Sequence, residues 1–365
     1  MPIVREPRAW WGGRRLTDLV EVVDLAADPH ALDRPATGTW VVTVPFEGGG
    51  TAHRFARSVP GPPFVARGTW PAPQGEWSTS LDEPAYLAGV EAVRDLVREG
   101  EVYQVNLCRV LSTPLPARAD PWALADRLVR GNPAPYAGVL DTGTSWLVSA
   151  SPELYLRRRG EVVTSAPIKG TAAPGEPMLD KDVAENVMIT DLVRNDLSRA
   201  CLPGTVAVDA LLAREEHPGL AHLVSTGSGR LRPGAGWRTL LDATGPPGSV
   251  SGAPKSSALQ AISRLEPVPR GPYCGGLGWV DAATGDGELA VGIRTFWWEP
   301  DADDRGTGTL RFGAGAGITW GSDPGGEWAE TRLKAARLVG LASQAARVGP
   351  DLASTGPRDR AGWRD

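Results

Sequence analysis

Apolar and polar residues alternate with a period of two at positions 154–159 and 161–166, and the period then lengthens to that of a helix from about 180 to 200. Between the two patterns lies Pro167-Ile168-Lys169-Gly170-Thr171, a turn whose one charge is Lys169. Two strands, a turn and a long helix are expected, with Glu153 at a strand edge, Lys169 in the turn and Glu185 on the helix. Upstream, Ser80 and Glu83 form a capping box, after which Tyr86, Val90, Val93 and Val97 share one helical face until Gly100. A strand at 101–113, a helix opened by Asp120-Pro121 and ending at Gly131, and a hairpin at 137–149 follow. Downstream, a strand is expected at 205–212, and a Gly/Pro turn at 245–254 opens a helix over 255–265. Strands are expected at 274–280, 288–298 and 309–312, and a glycine loop at 313–317 then runs into an amphipathic helix. Runs of strands with interspersed helices, rather than regular β-α-β alternation, predict an α+β fold with largely antiparallel sheets.

Residues 1–77, rich in Pro, Gly, Arg and Trp, read as a short β-containing lead-in packed on the main body, with the Pro/Gly connector at 69–75 as the boundary. Residues 78–345 form the main domain, and 346–365 a polar tail. Of the 365 residues, 41% are apolar and 22% charged, the composition of an ordinary soluble protein. A net charge of −5 and the lack of a basic run interleaved with aromatics argue against nucleic-acid binding. Three scattered cysteines without a CxxC point to reduced thiols and a cytoplasmic location; no apolar leader or membrane-length run is seen. The 38 basic residues include only four lysines: Lys169, Lys181, Lys255 and Lys334. Where arginine is otherwise used, a retained lysine is a candidate for chemistry that needs an amine able to lose its proton.

Each candidate group has a plain alternative. Glu185 has mostly apolar neighbours, and Glu327 and Glu330 stand i and i+3 on one helical face. As oxygen-only ligands they suit Mg2+ before Zn2+, whereas acids in a first turn also complement the helix dipole. A desolvated Lys169 would be a nucleophile, and an exposed one a turn residue. Glu153, if buried, suits a general acid. The glycine run could offer N–H groups to an anion, or merely allow close packing; it lacks the GxGxxG and GK[ST] patterns. Arg294, in an apolar strand, needs a partner, either a bound carboxylate or an internal Asp. His222 reads as a hydrogen-bonded core histidine.

In their order along the chain these segments resemble the chorismate-utilising enzymes. The motifs are Tyr103-Gln104-Val105-Asn106-Leu107, Ser151-Pro152-Glu153, Pro167-Ile168-Lys169-Gly170-Thr171, Ala184-Glu185-Asn186 with Arg194-Asn195-Asp196, His222-Leu223-Val224-Ser225, Ser251-Gly252-Ala253-Pro254-Lys255, Ile293-Arg294-Thr295, the glycine run and Glu327-Trp328-Ala329-Glu330-Thr331. The resemblance covers roughly two thirds of the chain and implies two large, mostly antiparallel sheets packed as a sandwich with helices outside. It implies chorismate as substrate, with Glu185 and Glu330 holding Mg2+ on the ring carboxylate and Glu327 assisting. Arg294, Tyr273 and the backbone of Gly313, Ala314 and Gly315 would clamp carboxylates, with Thr171 and Gln104 also at the substrate and Lys255 adding positive charge. Glu153 would be the acid for the departing hydroxyl, and His222 would orient the ring carboxylate.

Two positions separate the branches of this family. Enzymes making anthranilate carry Ala where Lys169 stands. Those making isochorismate or salicylate carry a water-activating Lys where this chain has Gln104. The resemblance therefore implies the aminodeoxychorismate branch, in which the lysine adds at C2 and ammonia enters at C4. No Cys lies in a Gly-x-Cys-x-Gly setting, so ammonia would come from a separate glutamine amidotransferase subunit. Anthranilate formation, another aminated chorismate, and a non-catalytic chorismate-binding subunit are the alternatives.

Overall fold

The computed structural model describes residues 5–73, 75–172, 175–178, 180–217, 220–302 and 306–344; the expected polar tail lies outside them. The strands β1 (Arg8–Trp11), β2 (Arg14–Asp24), β3 (Thr39–Val44) and β4 (Thr51–Pro60) precede the short β5 (Ser78–Thr79), helix α1 (Glu83–Arg98) and the long β6 (Gln104–Pro116). Helix α2 (Pro121–Gly131) leads into β7 (Tyr136–Asp141), β8 (Trp146–Ser151), β9 (Leu154–Arg159), β10 (Val162–Ala166) and β11 (Ile168–Ala172). Helix α3 (Asp180–Ser198) is followed by β12 (Ala207–His217), β13 (Leu220–Arg230), α4 (Trp237–Thr244), β14 (Gly252–Ala253) and α5 (Lys255–Leu265). Then come β15 (Gly276–Asp281), β16 (Gly287–Val291), β17 (Thr295–Pro300), β18 (Thr307–Ile318) and α6 (Pro324–Ser343).

The sheet pairing is antiparallel throughout and makes the expected two sheets two arms of one ladder. One arm runs β13–β10–β9–β16–β15–β3–β4–β2. Strand β1 pairs with β2 and opens the other arm, β1–β7–β8–β17–β18–β6. The N-terminal strands are thus the corner that joins the arms. Val41, Leu156 and Leu289 of the first arm share a core with Val105, Leu107, Leu140 and Leu147 of the second. The second arm's outer face packs Trp146, Phe296 and Phe312 against Trp122 and Leu128 of α2 and Leu338 of α6. No described helix is long and apolar enough to cross a membrane. Cys108, Cys201 and Cys274 are unpaired and buried.

Four local readings are corrected, the first being the turn expected at 167–171, which is the strand β11, bulged at Lys169 and Gly170. The cap of α1 is Asp82, whose carboxylate accepts from the Ala85 amide at 3.0 Å; Ser80 Oγ instead accepts from Val110 N across to β6. The single strand expected over 288–298 is two, β16 and β17, broken where Arg294 takes a φ of +53°. The glycine loop is the second half of β18, paired residue for residue with β6.

Candidate active site

The chain crosses from one arm to the other twice at the same level, between β8 and β9 and between β16 and β17. Val291 N donates to Glu153 O at 3.0 Å, and Ala150 N donates to Arg294 O at 3.0 Å, so the crossings lie side by side. Glu153 and Arg294 are thereby brought to one place. Glu153 is 3% exposed, and burial pushes its carboxyl up to about 7, against the opposing pull of a Ser249 hydroxyl bond, the Lys169 charge, the Ile168 amide and the Arg294 charge. Arg294 is partly buried, and its guanidinium has no hydrogen bond or ion pair with any described residue. Burial, and then Arg337, lowers its pKa, while Glu153 acts in the other direction.

Lys169 sits in a bulge of β11. Between the pairs Ile168↔Val224 and Thr171↔His222, β11 has Lys169 and Gly170 where β13 has Leu223 alone. Gly170 is needed there, because it takes a φ of +90° with Asp182 Cβ 2.8 Å from where its own Cβ would be. Burial holds the Lys169 ammonium below its ordinary pKa and Lys334 adds to this, while Glu185, Glu153 and Glu330 oppose it.

The three acids expected to bind metal converge around two other lysines. Lys181 Nζ lies 3.8 Å from Glu185 Oε1 and 3.3 Å from Glu327 Oε1, and Ser322 Oγ donates to Glu327 Oε1 at 2.6 Å. Glu327 is 4% exposed, and its Oε2 is buried without a partner. Burial raises the Glu185 carboxyl, against Lys169 and Lys181. Burial also acts to raise Glu330, but Lys334, Lys181 and Lys169 outweigh it and hold that carboxyl low; Lys334 Nζ is 2.6 Å from Glu330 Oε1. Oxygen-only donors and an orphaned carboxylate oxygen are chemistry that fits Mg2+. Among the described residues no three His, Cys, Asp or Glu side chains stand close enough together to enclose an ion, and an ammonium occupies the space between Glu185 and Glu327.

Opposite this cluster the glycine strand turns an open edge. The amides of Val110, Cys108 and Asn106 donate to Ser80 Oγ, Glu266 Oε1 and Ser251 O, so they are not spent on the facing Gly313, Gly315 and Gly317. In antiparallel geometry those three glycines then direct their own N–H and C=O groups away from β6. β17 pairs only with the 308–312 part of β18, and one open carbonyl, Gly315 O, accepts from Lys334 Nζ at 3.0 Å. The anion-facing backbone is thus an unpaired strand edge rather than a loop. A Cβ on Gly313 would overlap the Tyr273 ring, one on Gly315 the Cys108 sulfur, and one on Gly317 the Gln104 amide. Gln104 is 1% exposed with neither amide atom hydrogen-bonded.

Lys255, expected to add positive charge near a substrate carboxylate, is held by the fold itself. Its Nζ donates to Asp196 Oδ2 at 2.6 Å, Thr244 O at 2.7 Å and Pro246 O at 2.9 Å, which uses all three protons and leaves none for a substrate carboxylate. Tyr273 is buried against Gly313. His222 is buried in β13, in register with Thr171 on one side and Glu215 on the other; the Thr171 side chain lies outside the described residues. Sequence reasoning gave no role to Ser249, Lys181 or Lys334. The rarity of lysine was the available signal, since Lys169, Lys181 and Lys334 all converge on the acids. A cavity of about 830 Å³ lined by Leu25, Phe46, Tyr155, Leu259 and Ile262 lies elsewhere and holds none of these groups.

The family model of the chorismate binding enzymes matches residues 52–340, and the chain belongs to that family. It is 39% identical over 302 residues to the anthranilate synthase component 1 of Thermus thermophilus, covering 79% of this chain and 62% of that protein. It is 38% identical over 293 residues to an aminodeoxychorismate synthase of Streptomyces griseus, covering 74% of this chain and 38% of that protein. The chain therefore spans less than two thirds of the length of these curated relatives. The fold matches the solved anthranilate synthase component I of Streptococcus pneumoniae with a TM-score of 0.73 at 22% identity, covering 93% of this chain and 92% of that one.

Proposed function

We propose, from its place among the chorismate binding enzymes, that this chain aminates chorismate with ammonia to 4-amino-4-deoxychorismate. The observation that carries the reading is Lys169, an amine whose ammonium form is destabilised by burial and which lies within the fields of Glu153 and Glu185. An alanine there would leave the bulge without a nucleophile.

The neutral Lys169 Nζ adds to C2, the ring double bonds shift, and the C4–O bond breaks with its oxygen leaving as water on the proton of Glu153. Ammonia then bonds to C4, the double bonds shift back, and the C2–N bond to Lys169 breaks. The proton shed by the new ammonium returns to ionised Glu153, so chorismate and ammonia give product and water. A carboxyl with a pKa of about 7 is suited to both proton transfers near neutrality. Arg294 and the open edge at Gly313 and Gly315 would take the substrate carboxylates, with Tyr273 backing that edge and His222 orienting the ring carboxylate, whereas the backbone of Ala314, expected there too, faces Arg109 of β6. Gln104 offers an amide and no base, so water is not activated. Glu185, Glu330 and Glu327 would hold Mg2+, which would neutralise the ring carboxylate when bound. A separate glutamine amidotransferase would supply the ammonia.

Anthranilate synthesis is the second reading, favoured by relatives that carry that name. Incubating the chain with chorismate, Mg2+ and concentrated ammonium at alkaline pH, with products identified by mass spectrometry, separates them. 4-Amino-4-deoxychorismate supports the proposal and anthranilate overturns it. Binding of chorismate without turnover points to a non-catalytic subunit.

A further inference from the structure

We infer that Asn186 is the positioning residue that sets Lys169, an assignment that rests on the proposed role of that lysine. At the β11 bulge the backbone carbonyls of Lys169 and Leu223, one from each strand, lie within reach of a single side chain of α3. Asn186, 1% exposed on α3, fills both: its Nδ2 donates to Lys169 O at 3.2 Å and to Leu223 O at 3.0 Å. Its amide cannot turn over, because the Ser225 hydroxyl donates to Oδ1 while accepting from Leu212 N at 3.0 Å. Thr190 Oγ1 donates to the Asn186 carbonyl at 2.7 Å and fixes the same helical turn. Every donor and acceptor in this buried network has its partner, which makes it rigid rather than merely polar.

The consequence follows from strand geometry. Side chains alternate faces along β11, so loss of the extra residue from the register would swing Lys169 to the other side of the strand. Glu185 precedes Asn186 on the helix. The same helical turn therefore presents a carboxylate to the site and clips the backbone of the amine opposite it, and their separation does not depend on the flexible lysine stem alone.

The test is Asn186→Ala, with Ser225→Ala as a milder variant that keeps both donors and frees the amide to rotate. With Asn186→Ala, kcat for amination falls about 10²-fold with KM little changed, since a misplacement of about 1 Å is enough for such a loss. Independently of turnover, the initial rate of Lys169 acylation by an N-hydroxysuccinimide ester, read by peptide mass spectrometry, shifts several-fold relative to Lys181 and Lys334 in the same molecule. Ser225→Ala moves both readouts in the same direction by less. A purely structural role would alter the labelling of all three lysines together, and that result overturns the inference, as does unchanged relative labelling in a folded variant; a lower melting temperature is expected in either case, since Asn186→Ala leaves two buried carbonyls without that donor. If Asn186→Ala does not fold, the labelling of Ser225→Ala decides in the same way. Because labelling needs no product, a failure of the amination reading and a failure of this inference give different results.

Discussion

Arg270 and Arg294 are treated in opposite ways by the same fold. Arg270 is 1% exposed and bonded through all three of its nitrogens: Glu266 accepts from its Nε and one terminal nitrogen at 2.8 and 2.6 Å, Val250 O and Asn106 O accept at 2.9 and 2.8 Å, and its cation lies 4.1 Å from the Phe46 ring centroid. Arg294, at the crossing between arms, has none of this. The difference recurs around each. Lys255 spends its three protons on Asp196 and two backbone carbonyls, while the site leaves the Gln104 amide and one Glu327 oxygen buried without partners. A buried polar group costs free energy unless it is bonded, so the bonded groups hold the fold, and those left open beside Lys169 and Glu153 are free to take a ligand.

That contrast can be broken at several points. The largest effect is expected from Lys169→Ala, which should lower amination kcat by on the order of 10³-fold or more with no change in melting temperature. A variant that unfolds instead would move Lys169 to the structural side. Glu153→Gln should lower turnover about 10²–10⁴-fold and yet stabilise the protein in alkaline buffer. The sign follows from linkage: the folded-state pKa of about 7 lies above the ordinary 4.5, so folding binds a proton between those values and stability falls as pH rises through that window. The shift corresponds to roughly 3 kcal/mol, which denaturant titrations of both proteins at pH 5 and pH 8 would reveal as a gain for the variant at pH 8 alone. Equal stabilities at both pH values would contradict the burial of an acid there. For the wild type, kcat should fall as pH rises past the point where the acid form is lost.

The arginines give the next contrast. Arg270→Ala strands Glu266 and should cost about 3–5 kcal/mol of stability. Arg294→Ala should leave the melting temperature alone and weaken chorismate binding by about 10–100-fold, the loss of charge-assisted hydrogen bonds worth about 1.5–3 kcal/mol. Isothermal titration and thermal unfolding on both variants test the pair, and interchanged outcomes would refute the distinction. The smallest effect on substrate is expected from Lys255→Met, which should destabilise the protein while KM for chorismate in the folded fraction stays within about twofold. A large rise in KM would restore Lys255 to the substrate.

Much of this was legible in the chain because it was local. The strands β9 and β10 and the helix α3 follow their own periodicity, whereas the turn expected between them is the strand β11, made so by pairing with β13; α5 begins and ends at the expected residues, 255 and 265. The readings that needed correction depended on distant partners. Gly313-Ala314-Gly315-Ala316-Gly317 has no side-chain pattern to mark a strand, and it is one because β6, some 200 residues earlier, pairs with it. The left-handed backbone at Arg294 has no glycine to announce it. Lys255 was placed by its motif, whereas its environment is decided by Asp196 and by carbonyls from another turn. Glu153 and Glu185 both act on Lys169, the first from a strand end and the second from the second turn of α3, places the local pattern had marked.

The most direct test of the account is to mix the protein with chorismate and Mg2+ in the absence of ammonia, quench, and search the digested chain for a covalent adduct. The account predicts a dehydrated chorismate adduct on the peptide carrying Lys169, absent from Lys169→Ala and discharged when ammonium is added before the quench. Formation of 4-amino-4-deoxychorismate at an undiminished rate by Lys169→Ala, with no adduct in either protein, would contradict it.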